Sequence, residues 1–157
     1  MSTSAKAENF LVPTNHKLVR HVNSAAGWMW TIAALSAVNL VLFFVQAPIG
    51  MPLSLFASDF IFAVGHAINS IGAGVALCVD AVIIGFLVLL GFKIKAWRVW
   101  AFIVSITILA LDAVLIYFTT TLAGLWPFIL HAIAICFLIL GLKAAKTLNR
   151  RRADGQA

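Results

Sequence analysis

Three ionisable side chains stand inside otherwise apolar runs: Asp80 in "CVDAV", Asp112 in "ALDAV" and His131 in "ILHAI". Two carboxylates and an imidazole can relay protons, bind a cation, or neutralise one another. A lone Asp at the centre of a membrane helix costs about 2.5 to 3.5 kcal/mol on insertion scales, so such residues face a protein interior, pair, or mark an ion or proton path. Asn39, in "AVNLV", adds an uncharged polar group of the same setting. Asp59 and His66, in "FASDFIFAVGHAINS", are a second and less demanding set, read first as solvated residues near the outer surface.

The elements that must position these groups follow from composition. The chain has 157 residues, of which 63% are hydrophobic and 10% charged, against roughly 25% charged in a soluble domain; its mean hydropathy is +1.07. This is the signature of a membrane protein with a single transmembrane domain over residues 1–157. Apolar runs at 25–45, 71–92, 99–118 and 122–142 each meet the requirement of about 20 residues for a crossing. The fold class expected is an all-α, antiparallel four-helix transmembrane bundle. The first run is read as a retained anchor, because a secretory signal has an apolar core of only about 7 to 15 residues.

Charge placement sets the orientation. Three basic residues precede the first run (Lys6, Lys17, Arg20), three separate the second and third (Lys93, Lys95, Arg98), and five follow the fourth (Lys143, Lys146, Arg150, Arg151, Arg152). The positive-inside rule then puts both termini and the 93–98 link in the cytoplasm. The net charge of +6 is thus a matter of topology and of attraction to anionic headgroups, with the lipid bilayer as partner and no nucleic acid implied. Ahead of the first run, "PTNHKLVRHVNS" reads either as a short interfacial helix capped by Thr14 or Asn15, or as a charged leader.

Residues 54–70 pose a length problem. A continuous helix from Ala57 to Phe92 would measure about 54 Å at 1.5 Å per residue, against a hydrocarbon core of about 30 Å. A break near Gly72 and Gly74 is expected, leaving an interfacial or re-entrant segment on the outer side; the alternative is a long projecting helix.

Depths can be counted from the cytoplasmic basic residues. At about 1.5 Å per residue, Asp80, Asp112 and His131 lie about 20, 21 and 18 Å above Lys93, Arg98 and Lys143, and Asn39 about 21 Å above Ala25. One polar layer is expected. Arg98, Ser105, Asp112 and Thr119 recur every seven residues, as do Asp59, His66, Ala73 and Asp80, so each set would share a helix face. The short links make the last three spans neighbours, where the two Asp and His131 can meet. One solution is a protonated Asp bonded to an ionised Asp that also accepts from His131, the group titrating as a unit. Asn39, Ser105 and Thr107 read as interhelical glue.

Other chemistries lack their residues. His66, about 40 Å above Lys93 in a continuous helix, has no His partner at its level for a bis-His haem, and no cofactor or metal is expected. Cys78 and Cys136 differ in depth by about 12 Å, too far for a disulfide, and read as small core residues. No nucleophile elbow, phosphate loop or zinc-ligand spacing occurs, so an enzyme is the class with least support.

The second half of the chain, through Trp100, Ala101 and Phe102, then Ala110, Leu111 and Asp112, then His131, Gly141 and Leu142, resembles a group of uncharacterised bacterial four-span integral membrane proteins. The resemblance implies a bacterial inner-membrane location and carries no activity. Two functions are therefore expected: a structural or regulatory membrane subunit with a protein partner, or a small proton- or cation-linked transporter or channel component. Either could form a homo-oligomer, since Ala33, Ala37, Gly72 and Ala76 allow close helix approach.

Overall fold

Residues 3–45, 55–68, 70–119 and 125–155 are described by a computed structural model. All regular structure among them is α-helical: α1 (Thr3–Phe44), α2 (Phe56–Ile68), α3 (Ser70–Lys95), α4 (Val99–Thr119) and α5 (Leu125–Ala153). Four of these contain stretches long and apolar enough to cross a membrane, at Asn15–Leu42, Ile71–Lys95, Val99–Phe118 and Leu125–Ala153. The chain is an all-α, multi-pass membrane protein. The 46–54 link, residues 120–121 of the "TTT" link and the expected start of the fourth span at 122 lie outside the described residues.

The apolar faces divide as a bilayer requires. Met29 and Ile32 of α1, Leu87, Leu90 and Ile94 of α3, Phe102 and Leu109 of α4, and Leu138 of α5 are buried in one core. Ile71, Val82, Leu111 and Phe118 face outward and are exposed, a surface that would associate in water but suits hydrocarbon. Along α1 and α5, Asn15 meets Arg151, Ala25 lies against Gly141, and Trp28 stacks on Phe137 with centroids 5.5 Å apart. Residue numbers fall along one helix as they climb along the other.

The leader does not form a separate interfacial helix. It is the first part of α1, continuous to Phe44, because α5 runs on past Leu142 to Ala153 and gives it a partner. Leu18 and Val19 pack on a cluster containing Val22, Ala144, Ala145 and Leu148. The 93–98 link is tighter than a loop: Trp97, at φ 59°, takes the left-handed position of a helix-ending turn, with Arg98 N–H bonded to the Lys93 carbonyl at 3.0 Å.

Within the 54–70 segment, Phe56–Ile68 forms a helix of its own, separate from α3, which begins at Ser70. Gly72 and Gly74 sit within α3 rather than breaking it. A Cβ added at Gly72 would come 2.5 Å from the Gly65 carbonyl oxygen, and one at Gly65 would come 2.6 Å from Ala76 Cβ. These small residues therefore serve a close α2–α3 approach within the chain. The seven-residue series from Asp59 to Asp80 is accordingly split between two helices and shares no face. Cys78 and Cys136, expected in the core, are exposed on the outer surface, where a thiol is apolar enough for lipid.

Candidate polar site at the amino end of helix α2

The site begins as a hydrogen-bonding problem. With 13 residues, α2 is about 20 Å long, too short to cross a hydrocarbon core of about 30 Å. Its first turn enters the bundle, where Leu55 and Ser58 are buried. The first N–H groups of any helix lack partners within it, and hydrocarbon holds no water to replace them. Leu55, immediately before the helix, has no side-chain oxygen to act as a cap. Other helices supply the acceptors.

Helix α1 provides the first, the Leu55 N–H donating to Ser36 Oγ at 3.1 Å. Helix α4 provides the next two through a single carboxylate. Phe56 N–H donates to Asp112 Oδ2 at 3.0 Å and Ala57 N–H to Asp112 Oδ1 at 2.9 Å. Helix α3 receives the fourth group, the Ser58 hydroxyl donating to Asp80 Oδ1 at 2.8 Å. A carboxylate at a helix N-terminus also meets the positive end of the helix dipole, worth up to about 2 kcal/mol in partly buried geometry.

Helix α5 closes the arrangement from behind. His131 Nε2 lies 3.0 Å from Asp112 Oδ2, both side chains being buried. The opposite ring nitrogen, Nδ1, is 2.9 Å from the Pro127 carbonyl oxygen. A carbonyl only accepts, so Nδ1 carries a hydrogen and donates it. Although Nε2 is at ion-pair distance from the carboxylate, it makes no aligned hydrogen bond.

Of the residues singled out in the sequence, Asp112 and His131 are in contact. Asp80 joins them only through the first turn of α2. Its Oδ2 is buried without a hydrogen-bond partner, so the expected direct bond between the two carboxylates is not formed. Asn39 is buried on α1 one turn beyond Ser36 and has a partner of its own. Asp59 lies in α2, its side chain outside the described ones. His66 is exposed near the far end of α2 and is likewise engaged. Thr107 donates to the Ile103 carbonyl of its own helix at 3.0 Å, whereas Ser105 Oγ is buried without a partner; neither joins two helices by hydrogen bonding.

Sequence reasoning missed Ser36 and Ser58. The available signal was the missing cap: a short helix beginning "LFAS" in a membrane segment must find acceptors elsewhere. Comparison with models of protein families, with characterised proteins and with solved structures finds no match. Fold and site define a class: a multi-pass helical membrane protein with an internally capped half-helix.

Proposed function

We propose that the protein is a structural or regulatory subunit of a membrane, in which the polar layer holds a re-entrant half-helix inside an antiparallel four-span bundle. The observation that carries this reading is the double acceptance by Asp112 of the Phe56 and Ala57 N–H groups. Both carboxylate oxygens are committed to architecture. The exposed outer side of α2, with Phe60, Val64 and Ile68, is then offered to lipid or to a protein partner at a fixed position.

The basic residues support an orientation with both termini cytoplasmic. The Asn15–Arg151 and Trp97–Asn149 contacts gather the amino-terminal, central and carboxy-terminal basic groups at one end of the molecule, as the positive-inside rule requires. A bacterial inner membrane is the location that the resemblance of the second half suggests.

One observation favours the second reading, a proton- or cation-linked transporter component: Asp80 Oδ2 is fully buried and unpartnered. Reconstitution separates the two. Parent, Asp80→Asn and Asp112→Asn proteins are placed in liposomes, and internal pH and cation flux are followed under imposed gradients. The structural reading expects no flux from the parent and a loss of thermal stability in Asp112→Asn. Flux that Asp80→Asn abolishes would overturn it.

A further inference from the structure

A second site lies between α1 and α3, away from the polar layer. Ala33, Ala34 and Ala37 of α1 line one side of an apolar groove, and Ile84 and Val88 of α3 line the other, around a volume of about 440 Å³. That is within the range of ligand clefts. The groove falls inside the stretches of both helices that can cross a membrane, Asn15–Leu42 and Ile71–Lys95, and Ala34 is exposed in it. It therefore opens onto hydrocarbon. Its one polar lining group, the Trp30 indole N–H, already donates to the Val88 carbonyl at 3.4 Å, so the slot itself suits an apolar chain.

Selectivity comes from its end. Trp30 and Phe92 close the groove in an edge-to-face contact, with centroids 5.3 Å apart. The indole can lie against α3 because residue 91 is glycine: a Cβ there would collide with Trp30 Nε1. Over this fixed ring stands the Lys95 ammonium, 5.6 Å from the centroid, at cation–π distance. Lys95 follows Phe92 by three residues and Val88 by seven, so it sits on the groove's face of α3. Lys93, at the same end of the helix, lies about 160° around it.

The protein supplies no anion for this cation. Among the described residues Lys95 makes no ion pair, and Asp80 and Asp112 are committed to α2. The ammonium keeps its N–H donors for a ligand. A second copy is a poor occupant: copies in one membrane share an orientation, so a twofold contact through the groove would bring Lys95 towards Lys95. A zwitterionic lipid would bring a cation of its own to the same place.

We infer that the α1–α3 groove binds an anionic phospholipid, with one acyl chain along Ala33, Ala34 and Ala37 and the headgroup phosphate accepting hydrogen bonds from the Lys95 ammonium. The site is independent of the capping of α2.

The test is native mass spectrometry of the full chain in mild detergent, titrated separately with dioleoyl phosphatidylglycerol and dioleoyl phosphatidylcholine, which share their chains. The first phosphatidylglycerol should bind about fivefold more tightly than the first phosphatidylcholine, the effect of one lysine near an anionic surface. Lys95→Gln should abolish that preference, while Lys95→Arg and Lys93→Gln keep it. Ala34→Leu, which fills the groove from an exposed position, should weaken binding of both lipids with thermal stability unchanged. Glycerol phosphate, an anionic headgroup without chains, should not compete. The inference is overturned if Lys93→Gln removes the preference as fully as Lys95→Gln, which would make the attraction a diffuse property of the basic end. It is equally overturned if Ala34→Leu leaves both affinities unchanged, if glycerol phosphate displaces the lipid, or if the parent is a dimer that Ala34→Leu dissociates.

Discussion

The two ends of α2 are held by opposite means. At its amino end, four helices contribute side chains to one turn: Ser36, Asp80, Asp112 and, behind Asp112, His131. At the other end, α2 and α3 meet through Gly65, Gly72 and Ala76 with scarcely a side chain between them. The first contact satisfies polar groups that hydrocarbon cannot solvate. The second gains dispersion from backbones brought close together. One is sensitive to charge and the other to volume, so substitutions should separate them.

The largest loss is expected at the charged end. Asp112→Ala removes the acceptors of the Phe56 and Ala57 N–H groups, and each donor left unsatisfied costs about 1 to 3 kcal/mol. Reversible unfolding of the purified protein in mixed micelles should show a fall of that size. A change below about 1 kcal/mol, the scale of an exposed ion pair, would remove the distinction between the ends.

Next is Gly72→Ala. The added methyl would stand 2.5 Å from the Gly65 carbonyl oxygen, and backbone cannot yield as a side-chain tip can. Overpacking of this kind costs about 1 to 3 kcal/mol.

Ser36→Ala tests the polar end without touching charge. It strands the buried Leu55 N–H, at a cost of about 1 to 3 kcal/mol, below that of Asp112→Ala in the same titration. Gly74→Ala is the control and the smallest effect. Nothing lies within 4 Å of the added methyl, and Ala is favoured over Gly in a helix by about 1 kcal/mol, so stability should hold or rise slightly. A loss as large as that of Gly72→Ala would mean that glycine content, rather than the α2–α3 contact, sets the effect.

How far the sequence speaks differs between the same two regions. The four crossings were legible because their signal is additive, each needing only a long apolar run. Asp112 and His131 were legible as costly residues at similar depth. Their actual task was not, because it depends on a partner that carries no side-chain label: backbone N–H groups of Phe56 and Ala57 exist at every position and become conspicuous only when a helix begins there. Ser36 was hidden for the same reason, a single hydroxyl in an apolar run being cheap to bury. Gly72 and Gly74 look alike in sequence as helix breakers, yet one faces the Gly65 backbone and the other open space. Propensity describes the isolated helix, and packing against α2 decided the outcome.

The most direct test of the capped half-helix is a dipolar-recoupling solid-state NMR experiment in lipid bilayers, between the Asp112 side-chain carboxyl carbon and the amide nitrogens of Phe56 and Ala57. Nitrogen-to-oxygen distances of 3.0 and 2.9 Å predict strong coupling to both nitrogens, with amide protons that resist exchange into deuterated water. Absence of coupling to either nitrogen, with rapid exchange of both amides, would place the first turn of α2 outside the bundle and contradict the account.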